Sequence, residues 1–208
     1  MPLDSADIQF YYTGQATGPS DNHLSLGGTK SPYTIPDNVS NNVFDDVTGD
    51  EAQNGDTEYR AIAIYINTVN SQGSFDALNP KVWISDYSSD APDTIYIAKT
   101  TFPLNSNTMG TTTDEDTPPD ENEGLEWIKE GEGTIDWGGG TLKSEHWVGI
   151  WLKRVVPPEA SAYANRFCEI TFQCETTASP FKHTITKKFV VYFKAGTSGA
   201  IPPEKIVQ

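Results

Sequence analysis

The sequence predicts an all-β protein, an antiparallel β-sandwich of the Ig-like or jelly-roll type. Segments in which apolar and polar residues alternate recur along the 208 residues, and a period of two indicates half-buried strands. Turn-rich connections such as SDYSSDAPD and DWGGGT separate these segments. Valine, isoleucine, threonine and aromatic residues dominate the segments themselves, and these residue types favour pleated strands over helices.

Seven segments carry this pattern. In chain order they are ADIQFYYT, EYRAIAIYIN, KVWIS, TIYIAK, EHWVGIWLKRV, RFCEITFQCE and HTITKKFVVYF. Residues of one parity within each segment share one face of the sheet. The positions that we expect in the core are therefore Ile62, Ile64, Val82, Ile84, Val148, Ile150, Ile170 and Phe172.

Two cysteines, Cys168 and Cys174, share the inward face of one predicted strand. A separation of six residues places them about 20 Å apart in an extended chain, too far for a disulfide bond. We therefore expect two buried, free thiols. The absence of a disulfide framework from the sequence favours folding in a reducing cytosol.

The length favours a single domain over residues 1–208, with three additions to the sandwich. Residues 14–42 and 196–208 are interpreted as extended arms, which are typical of segments that lie on a neighbouring subunit. Residues 105–143 form a long, acidic, glycine-rich excursion that carries Trp127 and Trp137 and is predicted to be an irregular hairpin.

Charge is distributed unevenly. The formal net charge is −15. Residues 1–128 contain 4 basic and 21 acidic residues, whereas residues 129–208 contain 10 basic and 8 acidic residues. Such an acidic segment repels phosphate, so we expect neither nucleic-acid nor anionic-membrane binding. The N-terminus MPLDSADIQF lacks the pattern of a secretory signal, and no apolar run approaches the length of a membrane span.

An acidic run precedes the second predicted strand. Two interpretations are open for it. The first is a calcium site, whose candidate ligands are Asp45, Asp46, Asp50 and Asp56. However, the EF-hand order of ligands and the flanking helices are absent from the sequence. The favoured interpretation is a solvated loop that keeps the start of a hydrophobic strand soluble.

Catalytic motifs are not evident. The sequence has no paired-histidine spacing for a metal and no G-x-S-x-G motif. The stretch from Gly138 to Ser144, GGGTLKS, lacks the second glycine and the helix of a phosphate-binding loop. We therefore expect a protein that is not an enzyme and uses no cofactor.

Trp147 and Trp151 share one face of a predicted strand, with Gly149 between them. If that face is exposed, the two indoles form a platform that can stack on sugar rings, which makes a glycan-binding module an alternative function. The favoured interpretation is that both indoles pack beneath the acidic excursion.

Several segments together resemble small, Ig-like virion structural proteins of tailed bacteriophages. They are FDDVTGDEAQNGDTEYRAIAIYIN, KVWI and WVGIWLKRVVPPEASAYANRFCEITFQCET, with Leu26-Gly27-Gly28 and Ser31 upstream. The resemblance covers about two thirds of the chain and leaves out the excursion. It implies a binding or structural role on a virus particle, in the head decoration, the neck or the tail, and supplies no active-site residues.

The sequence thus predicts a non-enzymatic virion protein, with capsid decoration (a cement subunit on the major capsid protein) as the preferred role. A neck, tail or fibre protein is the alternative. We expect partners among viral structural proteins and a homo-oligomeric arrangement on the particle. The C-terminal SGAIPPEKIVQ carries apolar residues spaced by prolines, and these are candidate docking residues: Ile201, Pro202, Pro203 and Ile206.

Overall fold

The computed structural model describes residues 3–37, 39–68, 75–161, 166–176 and 183–193. The strands are β1 (Ile8–Thr13), β2 (Lys30–Thr34), β3 (Asp56–Ile66), β4 (Ala77–Tyr87), β5 (Thr94–Lys99), β6 (Ile135–Asp136), β7 (Thr141–Leu142), β8 (Trp147–Val156), β9 (Arg166–Thr176) and β10 (His183–Phe193). One helix, α1, spans Gly49–Asn54, and 3-10 turns span Ser5–Asp7, Pro19–Leu24 and Asn122–Gly124. In this part of the chain, no helix has the length and apolarity needed to cross a membrane.

Two antiparallel sheets form a sandwich. The strand order of the first sheet is β2-β1-β3-β8-β5, and that of the second is β10-β9-β4-β6, with β7 also paired to β4. The seven long strands in chain order occupy the positions of strands A to G in a constant-type immunoglobulin domain, with A-B-E-D in one sheet and G-F-C in the other. The fold is therefore an Ig-like β-sandwich, and the jelly-roll alternative is set aside.

The main core lies between the two sheets and confirms the predicted inward faces. All eight predicted core positions, Ile62 to Phe172, are buried in one hydrophobic cluster. The Phe10 and Phe189 rings stack at 4.6 Å and join β1 to β10 across the sandwich. Cys168 and Cys174 are buried and free, as expected.

Residues 14–42 do not form an extended arm. β2 pairs with β1, and Ile35 is buried in the main core. The Ser25 hydroxyl donates a 2.6 Å hydrogen bond to the carbonyl of Ala61 in β3. The arm interpretation is therefore wrong for the described residues of this segment, because β2 pairs with β1 and Ile35 and Ser25 make their contacts within the same domain.

The excursion is larger than predicted and is not a separate hairpin. It occupies the whole connection from β5 to β8. Its first part, residues 100–128, lies on the outer face of the first sheet and is called here the covering segment. Its second part adds β6 and β7 to β4 at the edge of the second sheet. The 196–208 tail lies outside the described residues.

We predict that Phe172→Ala lowers the free energy of unfolding by about 3–5 kcal/mol, because the ring is fully buried between the sheets. Gln173→Ala, the next residue on the opposite face of β9, should change it by about 0.5 kcal/mol or less. Urea denaturation of the two variants measures the difference. Equal effects would contradict the assignment of the inward face.

Candidate functional site

The two predicted platform tryptophans lie beneath the covering segment. Trp147 is 5% exposed and Trp151 is 0% exposed. Met109 and Leu125 pack over them in a second hydrophobic cluster on the outer face of β3 and β8. Gly149 makes this approach possible, because a Cβ atom at that position would lie 2.9 Å from the terminal methyl carbon of Met109.

Glu121 fastens the covering segment to the sheet. Its carboxylate accepts hydrogen bonds from the Trp151 indole at 2.5 Å, from the Thr101 amide and hydroxyl at 2.6 Å each, and from the Gly110 amide at 3.0 Å. Desolvation alone would raise the pKa of Glu121, but the hydrogen bonds from Thr101 and Trp151 outweigh it and lower the pKa. The carboxylate is therefore held in its ionised, hydrogen-bond-accepting form.

This burial decides between the two interpretations of the tryptophans. A stacking platform for sugar needs exposed indole faces, and neither Trp147 nor Trp151 offers one here. The structure contradicts the glycan-binding alternative at this face and confirms the packing interpretation. Trp127 is partly buried against the same cluster, as expected for an indole of the excursion.

The acidic run is not a calcium loop. Helix α1 forms within it, capped by reciprocal hydrogen bonds in which the Glu51 amide donates to the Thr48 hydroxyl at 3.2 Å and the Thr48 amide donates to the Glu51 carboxylate at 2.7 Å. Within the described ranges, the carboxylates whose oxygens all come within 4.8 Å of one another are Asp45, Glu58 and Glu115.

The predicted quartet of Asp45, Asp46, Asp50 and Asp56 is therefore not brought together. Asp46 accepts a hydrogen bond from Asn41, and Asp50 lies in the first turn of α1. Asp56 begins β3 on the other side of that helix. Asp45, Asp46 and Asp50 are all exposed, as the solvated-loop interpretation expects, and Asp45 in addition takes part in a charge cluster.

Two arginines occupy the centre of this charge cluster. Arg60 of β3 and Arg154 of β8 are both 0% exposed. The Arg60 guanidinium pairs with Glu115 and lies 3.3 Å from an Asp45 oxygen and 3.4 Å from a Glu58 oxygen. Arg154 pairs with Glu58 and donates a 2.8 Å hydrogen bond to the Asp45 carbonyl. A cation would meet two guanidinium groups here, so the cluster is an internal ion network and not a metal centre.

The network joins segments that are distant in sequence. Phe44 lies against both guanidinium groups, with its ring centroid 5.5 Å from the Arg60 Cζ and 4.9 Å from the Arg154 Cζ. Glu115 belongs to the covering segment, and its carbonyl accepts a 2.7 Å hydrogen bond from the Tyr59 amide. The loop before α1, both central strands of the first sheet and the covering segment therefore meet at one end of the sandwich.

Burial controls the protonation of this network. Three carboxylates against two guanidinium groups leave one excess negative charge. Desolvation raises the pKa of Glu58 to about 7, although Arg154 and Arg60 oppose the shift. Desolvation also raises the pKa of Glu115 against the effect of Arg60. The network therefore retains a proton more readily than separate carboxylates would.

Sequence reasoning missed the buried arginines, although the signal was present. Arg60 has the same parity as Ile62 and Ile64 along β3, and Arg154 has the same parity as Ile150 and Leu152 along β8. A basic residue in phase with a hydrophobic face, near an acidic run, indicates a buried ion pair. A second buried pair, Arg166 with Asp93, lies where β9 begins.

Within the described ranges, the outer face of the second sheet is open to solvent. Apart from the buried Thr171, its outward side chains keep solvent exposure. They come from the middle of three strands and are Lys81, Trp83, Ser85, Glu169, Gln173, Glu175, Thr184, Thr186 and Lys188. We call this surface the open face. Its charges are balanced locally, as in the 2.8 Å contact between Lys188 and Glu169.

A shallow groove of about 340 Å³ lies at one end of the open face. Its wall is polar and includes Asn79, Lys81, Gln173, Glu175 and Thr184. β4 bulges at Asn79, whose φ of 50° is left-handed, and the Asn79 amide donates a 3.1 Å hydrogen bond to Glu175. The groove offers amide, carboxylate and ammonium groups to a polar partner.

The predicted docking residues Ile201, Pro202, Pro203 and Ile206 lie outside the described residues. Their role stays a prediction.

Fold and surface together define an Ig-like β-sandwich protein with one covered and one open outer face. Neither a protein family nor a curated protein matches the chain. Among solved structures, the chain is similar to a family 123 glycoside hydrolase from Clostridium perfringens, with 14% identity, a TM-score of 0.34, and coverage of 89% of this chain and 27% of the hydrolase.

Two further similarities cover most of both chains. The N-terminal domain of PorA has 12% identity, a TM-score of 0.33, and coverage of 92% of this chain and 99% of that domain. A PapD-like domain of human CEP192 has 11% identity, a TM-score of 0.31, and coverage of 96% and 91%. Similarities at this level assign no activity to the chain.

We predict that Glu121→Ala loosens the covering segment, because the buried Trp151 indole N–H and two backbone amides lose their acceptor. The free energy of unfolding should fall by about 2–4 kcal/mol. Tryptophan emission should shift to the red as water reaches Trp147 and Trp151. Glu123→Ala, at an exposed position of the same segment, is the control and should leave both measurements unchanged. An unchanged emission spectrum in Glu121→Ala would contradict the fastening role.

We also predict that stability falls between pH 5 and pH 8 through Glu58. The unfolded chain releases this proton near pH 4.3, whereas the folded chain releases it at about 7. Between these two pKa values the folded state binds more protons than the unfolded state. The stability that Glu58 contributes is therefore complete below the unfolded pKa and is lost as pH rises through the folded pKa.

Urea denaturation across this range should show a loss of about 2 kcal/mol from this residue. Glu58→Gln carries a neutral amide that resembles the protonated carboxyl, so its stability should be nearest to wild type at the acidic end of this range and its pH slope should be flatter. Glu130→Gln, at an exposed position, should keep the wild-type slope. A wild-type slope in Glu58→Gln would rule out Glu58 as its source.

Proposed function

We propose that the chain is a non-enzymatic structural protein of a tailed-phage particle, a capsid decoration subunit that docks through the open face. The observation that carries the proposal is the difference between the two outer faces. The chain seals one with its own covering segment and leaves the other as a polar, three-stranded surface. An interaction protein needs a preformed, accessible face of this kind, and a rigid sandwich holds it in shape.

The charge distribution supports docking through this face. The first 128 residues carry most of the negative charge, whereas β9 and β10 belong to the remainder, which contains 10 basic and 8 acidic residues. Charged groups that remain unpaired are costly at the centre of an interface. A locally balanced face can dock while the acidic surface elsewhere keeps densely packed subunits soluble.

Trp83 is the best candidate for an anchor on this face. It points outward from β4 between the buried Val82 and Ile84, and it is half-buried on an otherwise polar surface. Its cross-strand neighbour is Thr171 of β9, the one buried side chain of the face. Tryptophans at the centre of a contact surface often contribute most to the affinity.

The resemblance to phage virion proteins supports the assignment to a particle, and it is compatible with the shell, the neck and the tail. Copy number separates these locations, because a shell carries a subunit in many symmetric copies whereas a neck or tail ring carries few. Quantitative mass spectrometry of particles produced by the encoding genome should find shell-like numbers. A ring-sized number would move the protein to the neck or tail, and absence from particles would overturn the proposal.

We predict that Trp83→Ala weakens co-sedimentation with those particles at least tenfold, about 1.4 kcal/mol of docking free energy, while the domain stays folded. The matched control is Tyr33→Ala. Tyr33 is 49% exposed on β2, at the edge of the other sheet, and its removal should leave docking unchanged. Equal retention of the two variants would exclude the open face as the docking surface.

A further inference from the structure

β10 is the edge strand of the second sheet. All eleven residues from His183 to Phe193 are in register with β9, which occupies one side of the strand. The other side faces away from the sheet. Alternate residues of a strand direct their N–H and C=O groups to opposite sides, so every second residue of β10 presents both groups outward.

Val190 shows which residues these are. Its N–H donates a 2.9 Å hydrogen bond to the Asp37 carboxylate, and its C=O accepts a 2.8 Å hydrogen bond from the Asn42 amide. Two side chains thus stand where the C=O and N–H of a neighbouring strand would be. Residues of the same parity, Thr184, Thr186 and Lys188, direct their backbone groups outward in the same way.

These three residues form the free part of the edge. Within the residues that the structure describes, none of their backbone groups has a hydrogen-bond partner on the outward side. The side chains of all three are exposed, and none is long and apolar. Among the described residues, six backbone groups over these five residues therefore have no protein partner on the outward side, and the contacts of Asp37 and Asn42 with Val190 end this part of the edge.

We infer that the β10 edge from Thr184 to Lys188 binds an extended, acidic segment of another protein, which adds a strand to the second sheet. Backbone hydrogen bonds supply the affinity in this mode of recognition, and flanking side chains supply the selectivity. The inference does not depend on the phage assignment, because it concerns the hydrogen-bonding capacity and charge of one strand.

Charge complementarity identifies the occupant. Lys188 projects on the outer face of the strand, where its ammonium group also contacts Glu169 at 2.8 Å. Lys187 is half-buried and projects on the inner face beside Ile185 and Phe189. An added strand therefore meets an ammonium group on each face. Glutamates or aspartates in an extended segment also alternate between the two faces, so acidic residues of either parity lie near a lysine.

A second copy of β10 fits this edge less well. Antiparallel pairing of two such edges about Thr186 would place Lys187 opposite Ile185 and Lys188 opposite Thr184 of the other copy, so neither lysine would meet a carboxylate on the added strand. Lysines on edge strands, including inward-pointing ones, are a common protection against pairing of identical edges. The same residues that oppose self-pairing therefore favour an acidic partner.

The test uses the full chain and a synthetic octapeptide of alternating valine and glutamate, acetylated and amidated at its ends. In the free protein, the Thr186 and Lys188 amide protons should exchange rapidly with solvent. Saturating peptide should slow their exchange at least tenfold, and raising the salt concentration should weaken binding. An alternating valine-lysine peptide should produce neither effect.

Thr186→Pro is the decisive variant, because it removes an outward N–H and leaves the ladder to β9 intact. It should weaken peptide binding at least tenfold, whereas the matched control Thr186→Ala keeps the N–H and should bind like the wild type. If Thr186→Pro fails to fold, the test uses the wild-type protein and a valine-glutamate peptide that is N-methylated at every residue. This peptide cannot donate backbone hydrogen bonds, so it should not slow exchange of the Thr186 and Lys188 amide protons.

Three results would overturn the inference. They are equal binding by Thr186→Pro and Thr186→Ala, protection by the fully N-methylated peptide, and equal protection by the lysine peptide. Sedimentation equilibrium without peptide gives a fourth. A wild-type dimer that becomes monomeric in Thr186→Pro would assign the edge to a second copy and not to an acidic partner.

Discussion

The central strands β3 and β8 are apolar on both faces, and the sheet that contains them must therefore be covered on both sides. The second sheet covers the inner face and forms the main core. On the outer face, Ala61, Ala63, Trp147 and Trp151 would be exposed without the covering segment. The long connection between β5 and β8 is thus part of the folded domain, and Glu121 links its position to the indole of Trp151.

A second constraint acts at one end of the same strands. The charged side chains of Arg60 and Arg154 are buried in the sandwich, where an unpaired charge would lower the stability of the fold. The loop before α1 and the covering segment supply Asp45 and Glu115 to the same place as Glu58. Because each carboxylate comes from a different element, removal of one partner weakens the attachment of several segments to the domain at once.

The second sheet is covered on its inner face only, as far as the described residues show. Its outer face carries a half-buried Trp83 among balanced charges, and its edge strand β10 has backbone groups without a partner in the described ranges, next to two lysines. The face and the edge adjoin in the same sheet. The chain itself covers the outer face of the first sheet, and both proposals concern the second sheet.

Alternating hydrophobicity was sufficient to predict the seven long strands and the eight core positions. The reason is that a strand with one buried face has apolar residues at every second position, a pattern visible within a few neighbouring residues. The choice of Ig-like topology and the folding of residues 14–42 onto β1 were decided by tertiary structure alone, and the burial of Trp147 and Trp151, which the sequence favoured, was decided between two open interpretations by the covering segment. The Asp45 carbonyl and Arg154, for example, meet across a separation of 109 residues. The covering segment has no periodic pattern, so the sequence determines which residues share a face, whereas only the folded chain determines whether water or protein lies against it.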